Sequence, residues 1–480
     1  MTSRPMASLL AAIAMTGLPA PAAAQTVAEL QQQIDALKAQ VQALIAAQSG
    51  APATALATTP PSPPVTPPVT PPPVAIAAAP AAPTVRTAAA LAAPKKSKPW
   101  YDRITVRGYT QLRLNEIVSG DRDAPAGRSS LRSVHDAGLT DANNFSFRRI
   151  RLVFAGDLGD HAAFSFQPDF ATAVSNQSAG ERREGFAQLR DAYVDLFLND
   201  AKSIRLRFGQ SKVPFGWENL QSSSNRLTLD RSDAINAGIP SERDIGVVGY
   251  VTPPAVQAVW DRLEKDGQKL FGNYGAFGLG LYNGQGVNRT ERNNDLLTVA
   301  MATWPFALDG LGDGFGGQVL ELGGAAYRNR VQPEIRAGGV SARSYLDERI
   351  GLHAILYPQP LGFQAEWSWG RGPEYVVDTA RIETRPASGG YVQTMLRVRR
   401  SPLGALMPYA RWQPYRGGWK AATNAPRLET NELELGVEFQ PVRPLELTLA
   451  YARMRRREAD ERLAGRAEGS VIRTQLQWNY

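Results

Sequence analysis

Arginines fall on positions of one parity in several short stretches of this chain. Arg107 and Arg113 stand in ITVRGYTQLRLN, Arg149 and Arg151 in FSFRRIRLVF, and Arg205 and Arg207 in KSIRLRFGQ. Arg397 and Arg399 follow in YVQTMLRVR, and Arg473 in the terminal VIRTQLQWNY. A guanidinium keeps its charge at any relevant pH and grips oxyanions through a planar fork of donors. The chemistry on offer is therefore reversible recognition of anions. Rings of Arg or Lys select anions in pores, provided that no site holds the ion too tightly to release it. Asp191, Asp195, Glu432, Glu434, Glu438 and Glu446 share the same face. Each arginine thus has a second reading, as a clamp fastened to a carboxylate in a wall.

Other chemistries are poorly supplied. The chain has no cysteine, so it offers no disulfide, thiolate metal site or cysteine nucleophile. His135, His161 and His353 have no partners at ligand spacing. GLGDGFGG (310–317) and GAFGLGLYNGQG (275–286) lack a phosphate-loop or dinucleotide pattern and read as turns or small strand residues. Acid pairs such as Glu432 and Glu434 simply share one strand face. No enzyme, cofactor or metal is expected. Beyond residue 99, 47 basic residues face 43 acidic ones, and 42 of the 47 are arginine. That near-balance argues against a nucleic-acid partner, which calls for clustered excess charge.

The elements that carry these arginines have a period of two. ITVRGYTQLRLN sets Ile104, Val106, Leu112 and Leu114 opposite Thr105, Arg107, Gln111 and Arg113. NELELGVEF sets Leu433, Leu435, Val437 and Phe439 opposite Glu432, Glu434 and Glu438. About sixteen such runs follow Pro99, with a parity slip between Phe147 and Arg149. Runs of about 9–11 residues suit a tilted strand that crosses a bilayer. Backbone polar groups in hydrocarbon must pair internally, so spanning strands close into a barrel. The reading is an all-β, transmembrane antiparallel β-barrel of about sixteen strands over residues 100–480, apolar face to lipid and polar face to a water-filled lumen. Trp100, Tyr101, Trp304, Tyr357, Tyr415, Trp478 and Tyr480 suit interfacial girdles. RMRRR (453–457) reads as a loop or barrel rim facing lipid headgroups.

The first hundred residues read differently. Residues 1–24 pair Arg4 with an apolar stretch and small residues before Gln25, a secretory signal peptide. In 25–48, Val27, Leu30, Ile34, Leu37, Val41 and Leu44 form the seam of a short coiled-coil helix. Residues 49–99 form a Pro- and Ala-rich linker, extended and semi-rigid.

Several stretches carry a resemblance. FRRIRLVFAGDL (147–158), LRDAYVDLFLNDAKSIRLRFGQSKVPFG (189–216), RDIGV (243–247) and LYNGQG (281–286) are similar to the phosphate-selective porin O and P family of outer-membrane channels. The resemblance implies a trimeric barrel that passes small anions by diffusion, with an inward third loop narrowing the pore. The matching loop here runs from about 212 to 241 and adds Lys212, Arg226 and Arg231 to the anion-binding candidates. Members that select phosphate are similar in using lysines near the inner mouth, and lysine is scarce here. The expectation is a Gram-negative outer-membrane pore for small hydrophilic solutes, anions preferred, with its N-terminal segment in the periplasm. Expected partners are outer-membrane lipid, small anionic solutes, two further copies of the chain and peptidoglycan through the N-terminal segment. The competing reading is a structural tether between outer membrane and cell wall, with the pore secondary.

Overall fold

The computed structural model describes residues 100–120, 131, 139, 144–171, 187–272, 274–401, 404–459 and 466–480. The expected signal peptide, coiled coil and linker lie outside the described residues. The wall begins with β1 (Ile104–Gly120), β2 (Asn144–Asp157), β3 (Ala162–Asp169), β4 (Gln188–Phe197), β5 (Ile204–Lys212) and β6 (Arg243–Val251). It continues with β7 (Phe277–Tyr282), β8 (Leu297–Ala307), β9 (Val319–Val331), β10 (Tyr345–Leu356) and β11 (Leu361–Val376). It ends with β12 (Arg381–Leu396), β13 (Val398–Ser401), β14 (Gly404–Gly418), β15 (Arg427–Val442), β16 (Leu445–Ala459) and β17 (Arg466–Asn479).

Every strand pairs antiparallel with its neighbours, and β1 pairs with both β2 and β17. At the seam, Gly108 and Tyr480 exchange backbone hydrogen bonds of 2.7 and 3.0 Å. β12 and β13 both pair with β14 and are parted only at Arg397, so they form one wall strand. The result is a closed barrel of sixteen strands, as the alternation predicts.

Its two surfaces invert the pattern of a water-soluble protein. Leu433, Leu435, Leu447, Leu449 and Tyr451 are exposed on the outside, while Glu432, Glu434, Glu438 and Glu446 are buried inside. An outer surface this apolar is stable only against lipid. The parity slip in FSFRRIRLVF is a β-bulge. Gln111 pairs with Arg149 but Leu112 pairs with Phe147, so Arg148 has no opposite residue. The extra residue lets Phe147 face out and Arg149 face in.

Not every girdle candidate faces lipid. Tyr101, Trp304 and Tyr480 are exposed, but Tyr357 and Tyr415 are 1 % and 3 % exposed and turn inward. Burial requires a partner for each phenol. Tyr357 donates to Glu321 Oε2 at 2.8 Å and Tyr415 to the Gly418 carbonyl at 3.0 Å.

Two connections fold into the barrel. Residues 213–242, between β5 and β6, carry the helical turns α1 (Trp217–Leu220) and α2 (Asp233–Gly238) and are almost wholly buried. This matches the inward third loop. Residues 252–276, between β6 and β7, carry α3 (Pro254–Lys265) and enter from the opposite end, which the alternation did not predict. Val256, Trp260 and Leu263 form its buried stripe. They join Phe215, Trp217 and Ile235 of the first connection against inward residues of β6 to β10. The glycines of FGLGLY serve this packing, for a Cβ at Gly278 would stand 3.0 Å from the Tyr250 ring and 2.9 Å from Met301.

Leu449 lies near mid-depth on the outer face. Leu449→Arg is expected to cost about 2–4 kcal/mol, read by urea titration of folding into phospholipid vesicles. A loss below about 1 kcal/mol would place that face outside hydrocarbon.

Candidate functional site

The third loop is held across the lumen by carboxylates that each gather several cations. Glu242, at its end, lies 2.8 Å from Arg226, 3.4 Å from Arg231, 3.6 Å from Arg190 and 4.0 Å from Lys212, and it pairs with Arg243. Asp230, near the loop's middle, lies 2.8 Å from Arg113, 3.3 Å from Arg148 and 3.7 Å from Arg149, and it pairs with Arg473. Burial opposes ionisation of both acids, but the surrounding cations outweigh it. Lys212, Arg231 and Arg243 hold the Glu242 carboxyl well below its ordinary range. Arg113 and Arg473 do the same for Asp230.

The loop is pinned elsewhere too. Glu218 receives both terminal nitrogens of Arg411 at 2.6 and 3.1 Å. Asp233 accepts from Arg456 at 2.8 Å. Ser223 receives Tyr109 and Arg151 at 3.1 and 2.9 Å. Arg349 reaches the carbonyls of Ala234 and Ala237. These partners stand on β1, β2, β10, β14 and β16, so the loop is tied on opposite sides of the wall.

The candidate residues fall into three groups. Arg113, Arg149, Arg151, Lys212, Arg226, Arg231 and Arg473 are gathered around the loop. Arg151 also grips Asp169 at 2.7 Å. Lys212 donates to the carbonyls of Asn219 and Gln221 at 3.0 and 2.7 Å. Arg205 and Arg207 share Asp195 lower on the wall, and Arg207 lies 3.8 Å over the Tyr193 ring. Arg397 and Arg399 meet Asp266 at 2.9 and 2.6 Å, at the end of the barrel where α3 enters. Arg107 points into the lumen near that end, exposed, and makes no ion pair among the described residues.

Alternation alone did not find Arg148, Arg190, Arg243, Arg349 or Arg411. Arg243 sits at the start of RDIGV, and Arg411 follows the parity of its own run. Several of their partners lie far off in sequence, as with Arg411 and Glu218, 193 positions apart. Around the loop the count is lopsided. Twelve cations (Arg113, Arg148, Arg149, Arg151, Arg190, Lys212, Arg226, Arg231, Arg243, Arg411, Arg456, Arg473) pair there with seven carboxylates: Asp169, Asp191, Glu218, Asp230, Asp233, Glu242 and Glu434. Glu366 of β11 accepts from the Glu218 N–H of the loop at 3.0 Å, and Asp347, Glu432, Glu438 and Glu446 line the inner wall on β10, β15 and β16.

The α3 connection forms a second obstruction. Trp260 donates to Glu321 at 3.1 Å and packs edge-on against Phe271, which also meets Trp217 of the loop. Lys269 bridges to Glu438 and Glu446 at 2.6 and 3.1 Å. Gln221 of the loop donates to the Lys269 carbonyl at 3.0 Å, which ties the two inserts together. A cavity lies on each side of the loop. One is lined in part by Arg243, Arg289, Arg292 and Lys420, the other by Asn225, Gln268, Lys269 and Gln364. Among the described residues no cluster suits a metal ion.

The family model described as phosphate-selective porin O and P matches residues 131–480. The chain belongs to that family. It is an outer-membrane porin; such barrels turn their longer loops away from the periplasm, and here the third loop lies at one end and the α3 connection at the other. The porin is similar in fold to the outer-membrane channel DcaP of Acinetobacter baumannii, with 14 % identity and a TM-score of 0.46 over 78 % of this chain and 97 % of that one. The anion-selective porin of Comamonas acidovorans gives 11 % identity and a TM-score of 0.46, covering 78 % and 99 %. The trimer form of OmpT of Vibrio cholerae gives 9 % identity and a TM-score of 0.45, covering 78 % and 99 %. No curated protein sequence matches the chain.

Asp230→Asn removes the carboxylate that Arg113 and Arg473 share, while Arg473 keeps Glu434 at 3.8 Å. Breaking a buried pair in this way costs about 3–5 kcal/mol, so the loop should loosen and single-channel current noise should rise in planar bilayers. The pH response has a definite sign. Both loop carboxyls have lowered folded pKa values, so their pairing is complete above the ordinary carboxylate range and is lost as pH falls through the lowered values. Noise is expected to stay flat from about pH 8 to 5 and to rise only well below about pH 4.

Proposed function

We propose that this porin is a passive diffusion channel for small hydrophilic solutes that favours anions, and that it works as a homotrimer. The observation that carries the reading is the surplus of cations around the third loop. Twelve bases against seven carboxylates leave a net positive charge where the loop crosses the lumen. Walls of low dielectric focus such a field and raise the local concentration of anions.

The geometry favours selection by field over selection by tight binding. Most of these guanidiniums are occupied by protein acceptors, which limits how strongly they can seize a passing oxyanion. Weak, repeated attraction is what conduction requires. The lumen lysines are likewise engaged: Lys212 by backbone carbonyls, Lys269 by two glutamates and Lys420 by Asp347. The reading is therefore a general anion preference, with phosphate one permeant oxyanion among several. Arg107 and the cavity lined by Arg243, Arg289, Arg292 and Lys420, with Asp244 and Glu334 also on its wall, provide attraction at the two ends of the path.

Reversal potentials of the full chain in a salt gradient across a planar bilayer test this. An anion-to-cation permeability ratio above one is expected. Replacing Arg226 and Arg231 together by alanine should lower that ratio at least twofold. A cation preference in the unaltered protein overturns the reading, and an unchanged ratio in the double variant removes these two residues from it.

A further inference from the structure

The RMRRR run lies on β16, where alternate residues face opposite solvents. Arg456 turns inward to Asp233, while Arg453, Arg455 and Arg457 face out. The neighbouring strands add Arg416 on β14, Arg427 on β15 and Arg466 on β17 to the same outer face. Among the described residues three carboxylates answer these six cations, the third being Glu374 of β11 at 3.9 Å from Arg427. Glu468 accepts from Arg453 at 2.7 Å and Arg455 at 3.1 Å. Glu429 pairs with Arg427 and lies 3.7 Å from Arg416 and 3.9 Å from Arg457. Among the described residues the patch keeps three positive charges in excess. Arg457 and Arg466 are direct cross-strand partners, a like-charge pairing that is unfavourable without an anion between them.

The position of the patch names its partner. Below Arg453 the outer face of β16 reads Tyr451, Leu449 and Leu447, and below Asn431 that of β15 reads Leu433 and Leu435. The apolar stripe thus ends within one alternate position on the two strands, for Leu433 stands opposite Arg453 and Asn431 opposite Arg455. With about 3.4 Å per residue and a tilt near 40°, Arg453 stands about 20 Å above Leu445 and Arg457 about 30 Å. The apolar band of such barrels is about 25 Å tall, so the arginines bracket its outer edge. Headgroups begin at that height. A phosphate at that height matches the arginine fork bidentately.

We propose that the outer face of β14 to β17 binds the phosphate groups of anionic lipid in the outer leaflet, with Arg453, Arg455, Arg457 and Arg466 as the principal donors. The tail of such a lipid lies along the Leu447–Tyr451 stripe, and its phosphate sits between Arg457 and Arg466.

The test uses the full chain in neutral detergent, titrated with bis-phosphorylated lipid A or its dephosphorylated form, with bound lipid counted by native mass spectrometry. The phosphorylated lipid is expected to bind at least tenfold more tightly than the dephosphorylated one. The combined Arg453→Gln, Arg455→Gln, Arg457→Gln and Arg466→Gln variant should lose that advantage. The Glu429→Gln, Glu468→Gln variant raises the excess charge and should bind more tightly than the parent, which keeps the test decisive if the arginine variant fails to fold. Equal binding of the two lipids, or an unchanged advantage in the folded arginine variant, overturns the proposal. So does full competition by millimolar inorganic phosphate, which would mark a free-anion site. A change of oligomeric state without a change in lipid binding overturns it as well, in favour of a subunit interface.

Discussion

A backbone amide or carbonyl in hydrocarbon has no water to turn to, and this requirement governs the rest of the molecule. The sheet must close, so β1 must find β17. Closure then divides side chains between an outer and an inner surface at every residue. The outer surface takes leucine, valine and phenylalanine because lipid is the solvent there. The inner surface is free to carry charge, and this chain fills it with arginine and carboxylates. The barrel is thus less a container to which a site was added than the cause of the site's parity.

Closure also explains why so many charges are buried without obvious disorder. A lone guanidinium in a confined interior loses hydration that it must recover from protein acceptors. Here one carboxylate commonly serves several cations, as Glu242 and Asp230 do. Sharing gives many arginines a carboxylate from few acids, and in the function proposed above the uncancelled charge acts as a field. Structural clamping and anion attraction are therefore not rival roles for a given arginine. Arg226 anchors the loop to Glu242 and contributes to the surplus at once.

The period of two made the wall legible, because lipid enforces it residue by residue. Even its one visible fault, at Arg148, corresponds to a physical bulge. The third loop was legible through its resemblance rather than through pattern. The α3 connection was not, although Val256, Trp260 and Leu263 keep a helical spacing. Three apolar residues in one short helix look the same whether they dock inside a lumen or on a surface. Tyr357 and Tyr415 misled for a related reason: a tyrosine at a strand end suits a lipid interface and an inward hydrogen bond equally well. Which arginine meets which acid was out of reach, since pairs such as Arg113 and Asp230 are 117 positions apart and depend on how the loop crosses the lumen.

That crossing sets an order of events. Arg113 lies on β1, Arg148 and Arg149 on β2, and Arg473 on β17, so the four cations around Asp230 come from both sides of the closing seam. Before β17 meets β1, the site for Asp230 is incomplete, and docking the loop would bury a carboxylate among fewer compensating charges. After closure, the same carboxylate ties the seam together from within. Glu218 and Asp233 then fasten the loop to β14 and β16. A loop so anchored cannot swing aside without breaking several buried pairs together. The narrow part of the pore is consequently a fixed feature of the closed barrel, which suits diffusion through a standing field better than gated passage.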